Sequence, residues 1–227
     1  TRDDLVKFYD VDAAKIEVVY PGVDPDLQRA TDEVQIAAAL EKFGIRPPYL
    51  LYLGTVQPRK NLIRLVDAFA MSGLYAEGYS LILAGKSGWL AASLLDAVGR
   101  LPLAVRNRIF LPGYIGETEK NLLLSAASAL VFPSLYEGFG FPVLEAQACG
   151  TPVVCANTSS LPEVAGEGAL LVDPLDVGAI AAAMQRVVSE PELRASLIEA
   201  GYANLSRFSW ARAAARCLSV LEEAVRP

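Results

Sequence analysis

The chain has 227 residues, 53% of them hydrophobic, which suits one large domain, alone or with extensions, around a substantial core. A net charge of −6 argues against a broad nucleic-acid footprint, which needs clustered Lys and Arg, and against binding anionic lipid through the whole surface. There is no histidine, so any imidazole base must come from another polypeptide or domain, and no apolar run reaches the ~20 residues of a membrane helix.

The N-terminus, TRDDLVKFYD, has neither signal nor transit character and no initiator Met, so a fragment or processed chain is expected. Residues 3–9 read as a short helix and 16–20 as a strand, closed by the Pro21-Gly22 turn. Asp24-Pro25-Asp26 has the form of a metal-holding DxD, yet two acids around a proline after a turn read better as a solvated loop. Residues 32–43 repeat apolar side chains at three and four and stop at Gly44, as a helix does. Residues 49–53, YLLYL, form a continuous apolar run suited to a parallel strand buried on both faces.

Gly54-Thr55-Val56-Gln57-Pro58-Arg59-Lys60-Asn61 follows, then an amphipathic helix through Leu62, Leu65, Val66 and Phe69, with Asn61 as its expected N-cap. Two cations at a helix N-terminus oppose its dipole, so Arg59 and Lys60 make better sense with an anion between them and the helix. Residues 81–84 are the next strand, leading into Gly85-Lys86-Ser87-Gly88. A P-loop would need glycine where Ser80 stands, so this is a tight turn of the kind that lines ligand clefts in open α/β sheets.

A helix is expected over 89–98, a strand over 109–111 before Pro112-Gly113-Tyr114-Ile115, a helix over 118–127 and a strand over 129–133. After the central loop come a helix over 141–149, a strand over 151–155, a short helix capped at Ser160, a strand over 169–172 and helices over 176–188 and 191–205. The last helix, 209–225, carries a stripe of Trp210, Ala214, Cys217, Leu218, Leu221 and Val225 that must be buried on something. Cys149, Cys155 and Cys217 form no CxxC pair and read as buried small hydrophobes in a reducing compartment. Strand and helix alternate throughout, which predicts an α/β, Rossmann-like doubly wound domain with a mostly parallel sheet.

The loop between the strand at 129–133 and the helix at 141–149 carries the chemistry. Glu137 and Glu145 stand with seven residues between them, and the gap holds Gly138, Gly140 and Pro142. Gly138-Phe139-Gly140 begins like a dinucleotide fingerprint, but its third glycine position is Val143. Glycines let backbone approach a ligand, and free N–H groups at the helix start, such as those of Phe141 and Val143, suit a diphosphate. Glu145, in the first turns, is able to accept hydrogen bonds from vicinal hydroxyls such as those of a ribose. Either glutamate alone reads as an ordinary surface acid; the whole string reads as a ligand site.

GTVQPRKN, FPSLYEGFGFPVLEAQACGTPVVCANTSSLPEVAG and ALLVDPLD resemble the C-terminal, donor-binding lobe of a GT-B-fold retaining glycosyltransferase, most nearly of the GT4 family, from residue 16 to the C-terminus. The resemblance implies roles residue by residue. Glu137 would contact the donor sugar or its leaving diphosphate. The backbone of Gly138, Phe139, Gly140, Phe141 and Val143, with Leu144 beside it, would cradle sugar and phosphates. Glu145 would bind the ribose, and Lys60 with Arg59 would neutralise the departing diphosphate. Gly85, Tyr114 and Ile115 would lie beside the base. It implies a metal-independent reaction without a cofactor, taking a nucleotide-diphosphate sugar, GDP-mannose before UDP-glucose, to a glycan or lipid-linked acceptor. Many relatives carry arginine where Thr55 stands, and Arg59 is the candidate to replace it.

By the same resemblance, residues 1–20 are the end of an N-terminal acceptor lobe and its crossover, 21–208 the nucleotide-sugar-binding domain, and 209–227 a helix returning to that lobe. The expected partners are the donor, the missing lobe and the acceptor. The chain alone would bind donor and transfer little. The setting would be cytoplasmic, with any contact to the inner membrane face made through the missing lobe. The alternative is a non-catalytic nucleotide-binding module paired with a separate chain; the presence of Glu137, Glu145 and Lys60 together favours the enzyme. An epimerase or phosphorylase of the same fold would need a cleft histidine or a pyridoxal lysine, and neither is apparent.

Overall fold

The computed structural model describes residues 2–86, 88 and 91–225. Ser87 and Trp89, read above as parts of a turn and a helix start, lie outside them, as do Thr1, Arg226 and Pro227. Among the described residues, six parallel strands form one sheet: β1 (Tyr49–Leu53), β2 (Ser80–Ala84), β3 (Ile109–Gly113), β4 (Ala129–Phe132), β5 (Val153–Ala156) and β6 (Leu170–Val172), in the order β3-β2-β1-β4-β5-β6. β1 is hydrogen-bonded on both edges, to β2 and β4, and all five of its residues are buried. With helices over both faces of a parallel sheet, an alternating strand would bury polar groups, and this is why YLLYL is apolar throughout. Its two tyrosines still satisfy their polar ends: Tyr49 Oη donates to the Leu123 carbonyl at 2.7 Å and Tyr52 Oη to the Thr55 carbonyl at 3.4 Å, while the Tyr52 ring stacks on Phe132.

Helices α1 (Arg2–Tyr9) and α2 (Glu33–Lys42) precede the sheet. α3 (Leu62–Ser72) joins β1 to β2, and α4 (Ala91–Arg100) with α5 (Leu103–Arg106) joins β2 to β3. α6 (Glu117–Ala126) crosses back to β4, α7 (Phe141–Ala148) leads to β5, and α8 (Leu161–Ala165) to β6. α9 (Val177–Ser189), α10 (Pro191–Leu205) and α11 (Trp210–Ala224) follow. α3 packs on α9, while α7 packs on α6 and α10.

Strand order reverses between β1 and β4, and the crevice at their carboxyl ends is where open α/β sheets bind ligands. The two loops entering it are tied together. The Leu135 amide donates to the Arg59 carbonyl at 2.8 Å, and Asn61 Nδ2 donates to the carbonyls of Pro133 at 3.0 Å and Pro174 at 2.6 Å. Beside them Gly85, at φ +150°, packs backbone on backbone: a Cβ there would stand 1.9 Å from the Gly54 oxygen.

Several expectations are corrected. Residues 16–20 form no strand; the segment runs along the surface beside α11, pairing Glu17 with Arg216 at 2.7 Å. Asn61 does not cap α3 with its side chain. It takes a left-handed conformation and spends its amide on the two carbonyls above. Cys149 and Cys155 are buried, but Cys217 is exposed. Apart from these corrections, the α11 stripe, expected to return to a lobe outside this chain, has no cover among the described residues: no residue of that helix is buried, and Trp210 and Leu221 are more than half exposed.

Candidate functional site

Glu137, at the end of the loop after β4, is 7% exposed and sits between two cations from the loop after β1. Arg59 Nη1 donates to Oε2 at 2.8 Å and to the Tyr136 carbonyl at 3.0 Å; Lys60 Nζ donates to Oε1 at 2.5 Å and lies 5.0 Å over the Phe132 ring. Burial raises the Glu137 carboxyl, but the hydrogen bonds from Lys60 and Arg59 outweigh it and hold the group below the usual carboxylate range. Lys60 is lowered, first by burial and also by Arg59, with Glu137 opposing both. The anion that the sequence demanded beside these cations is therefore present within the protein. Two cations against one carboxylate leave an excess of positive charge at the crevice.

The loop is fixed from α8 as well. Ser159 Oγ accepts the Glu137 amide at 3.0 Å. Ser160 stands at the cap position of α8 but makes no cap; its hydroxyl faces the carbonyls of Glu137 at 3.0 Å and Phe139 at 2.5 Å. Beyond Glu137, the amides of Gly138, Phe139, Gly140 and Phe141 make no hydrogen bond to any described residue. Pro142 has no N–H, so four consecutive donors end at the start of α7. Gly140 holds φ +127°, and a Cβ on it would meet Leu161 at 2.8 Å, so only glycine fits there. Val143 departs from expectation: its amide donates to the Gly140 carbonyl at 3.0 Å, and its side chain is buried in the core. Leu144 is also fully buried, packed with Val164 and Phe208, and Phe139 meets the Phe208 ring at 5.7 Å. These three side chains hold the loop's shape from behind.

A cleft of about 360 Å³ adjoins the start of α7. Gly85, Tyr114, Ile115 and Glu145 line it, with Thr55 on the β1 side. Lys86 Nζ lies 4.9 Å over the Tyr114 ring. Glu145 Oε1 accepts from Lys120 Nζ at 2.7 Å, and the same ammonium reaches Glu117 Oε2 at 2.6 Å. Burial works against the Lys120 charge, but the hydrogen bonds it donates to the two glutamates hold its pKa above the ordinary value. Sequence reasoning passed over Lys120 and Ser159 and gave Ser160 only the role of a helix cap. The signal for Lys120 was its position three and four residues before the buried Leu123 and Leu124, on the inward stripe of α6. Asp24, by contrast, closes a surface turn by accepting the Asp26 amide at 3.0 Å.

The sequence profile described as Glycosyl transferases group 1 matches residues 37–204. The chain is 35% identical over 213 residues to the O-antigen chain mannosyltransferase B of Escherichia coli, covering 92% of this chain and 55% of that protein. It is 35% identical over 238 residues to the D-inositol 3-phosphate glycosyltransferase of Saccharomonospora viridis, covering 98% and 53%. It thus spans little more than half the length of these relatives. Among solved structures, Anabaena Alr3699/HepE in complex with UDP and glucose superposes with a TM-score of 0.85 at 20% identity, over 97% of this chain and 60% of that one. At that identity the likeness speaks for the fold.

Proposed function

The chain belongs to the group 1 glycosyl transferases, and from that premise we propose that it forms the lobe that binds a nucleotide-diphosphate sugar in a retaining hexosyltransferase. The observation that carries this reading is that Arg59 and Lys60 meet at Glu137, four unused amides follow it in the chain, and the helix they lead into lines the adjoining cleft with Pro142 and Glu145. The base enters beside Gly85, Tyr114 and Ile115, the ribose hydroxyls bond to Glu145, and the diphosphate lies across the Gly138–Phe141 backbone toward Lys60. As the bond from the anomeric carbon to phosphate oxygen breaks, the leaving diphosphate takes the electron pair. The two cations and the amides then stabilise it, so that no metal or cofactor is needed. Glu137 faces the sugar, with its pairs to Arg59 and Lys60 setting its position.

The relatives named as mannosyltransferases make GDP-mannose the first donor to test and UDP-glucose the second. The acceptor, a glycan or lipid-linked sugar, is met by a lobe outside this chain, and the α11 stripe and the 16–20 segment are the surfaces on which that lobe returns. No helix among the described residues is long and apolar enough to cross a membrane, and any membrane contact is assigned to the same lobe.

The test is calorimetric titration with GDP, UDP, GDP-mannose and UDP-glucose, with EDTA present and Glu145→Ala and Lys60→Ala in parallel. Selective binding of one base, lost in both variants and indifferent to EDTA, is expected. Absence of binding by this chain and by a chain extended at its N-terminus would overturn the reading.

A further inference from the structure

Glu145 is not alone at the cleft, and its partner has a definite place. Lys120 lies on α6, its side chain is 16% exposed, and its ammonium bridges two carboxylates. The pair with Glu117 is at the rim, where Glu117 is 82% exposed and water competes for both groups. The pair with Glu145 is sheltered: the carboxylate is 19% exposed. Lys120 takes Glu145 Oε1 only. Oε2 receives no hydrogen bond from any described residue. Lys120, Glu117 and Glu145 also line a second, smaller cavity with Gly22, Phe141 and Trp210, so the bridge is a partition between two hollows. Without the ammonium, the Glu145 side chain has room to swing out of the first.

We infer that Lys120 is the positioning residue for ribose recognition. It holds the Glu145 carboxylate in the partition, with Oε1 occupied and Oε2 left for the vicinal hydroxyls of the ligand. The inference rests on the reading of Glu145 given under Proposed function and goes beyond it by assigning the group that orients it. An oriented carboxylate accepts two hydroxyls at the cost of little further ordering, whereas a swinging one must first be fixed. The Lys120 ammonium is spent on the two glutamates. Its effect is therefore confined to the part of the binding energy that depends on the hydroxyls.

The test compares each nucleoside diphosphate with its 2′,3′-dideoxy form, GDP against dideoxy-GDP and UDP against dideoxy-UDP, by calorimetry on the whole chain. Two hydrogen bonds to a charged acceptor are expected to favour the ribonucleotide by roughly tenfold or more. Glu145→Gln should bring that ratio close to one. Lys120→Met and Lys120→Gln should each reduce it at least threefold while leaving the dideoxy affinity within twofold, and Lys120→Arg should restore it. Either neutral variant that folds decides the matter. A loss of fold stability alone would move both ligands together and leave the ratio intact. A neutral Lys120 variant that keeps the wild-type ratio, while Glu145→Gln loses it, would overturn this inference and leave the proposed function standing. A wild-type protein that binds both forms equally would overturn the ribose role of Glu145 and this inference with it.

Discussion

Helix α7 carries two polar clusters, one at each end, and they are built on opposite rules. At its far end Gln147 is buried, and its amide nitrogen donates to the carbonyls of Ala165 at 2.9 Å and Gly168 at 3.3 Å. Its oxygen accepts from Asn204 at 2.8 Å, and Asn204 in turn bonds the Val164 carbonyl and accepts from Arg207. Neutral amides form the centre of this cluster, with the Arg207 guanidinium donating to it from the edge; each amide donor meets an acceptor, and α7, α8 and α10 are locked together. At the cleft end the side chains are charged: Glu145 with Lys120, and just before the helix Glu137 with Arg59 and Lys60. Among the described residues, that end keeps two cations on the single Glu137 carboxylate, four unused amides and one Glu145 oxygen without a hydrogen bond. A closed neutral network contributes rigidity, while an open charged one keeps binding capacity for a ligand.

Variants at the two ends should separate stability from binding. The largest effect is expected at the closed end. Gln147→Leu strands two carbonyls and the Asn204 amide in the core, which should cost about 2–4 kcal/mol and lower Tm by roughly 5–15 °C. Nucleotide affinity of the folded fraction should stay within twofold; thermal melting and calorimetry read the two quantities. A Tm unchanged by this substitution would erase the distinction between the ends.

Lys60→Met should show the reverse balance. Nucleoside diphosphate binding should weaken by about 1.5–3 kcal/mol, roughly ten- to hundredfold, as one charged donor is lost. Tm should fall less than in Gln147→Leu, because Arg59 still holds Glu137.

Glu137→Gln is the sharper probe, since its sign is opposite. Glu137 is the resident anion on these cations, so neutralising it should tighten nucleoside diphosphate binding by about 0.5–1 kcal/mol, while slowing sugar transfer in the complete enzyme. Weaker binding would remove Glu137 from that role. The same variant has a pH signature. A carboxylate whose folded pKa is depressed adds stability above its unfolded value of about 4.3, and that stability is lost as pH falls through the lower folded value. Melting curves of Glu137→Gln should therefore be flatter than wild type in this acid window. The smallest effect belongs to Glu117→Gln, at an exposed pair, which should change stability by less than ~0.5 kcal/mol.

Residue pattern alone determined most of the scaffold. The apolar run at 49–53, the helix stop at Gly44 and the glycines around Glu137 each express a local rule of burial or backbone freedom, and such rules are legible in a single strand of sequence. The same string announced the loop that carries Glu137 and Glu145. Only the tertiary structure decided which charges meet. Arg59 and Lys60 reach Glu137 because β1 and β4 are neighbours at the point where strand order reverses, an adjacency that no local periodicity encodes. Lys120 reaches Glu145 because α6 packs on α7, and Ser160 leaves its cap for the Glu137 carbonyl because α8 lies against the loop. Asn61 and Val143 were misread for a related reason. A cap or a free amide is a local default, and it yields when a tertiary or tighter-turn acceptor comes within hydrogen-bond reach.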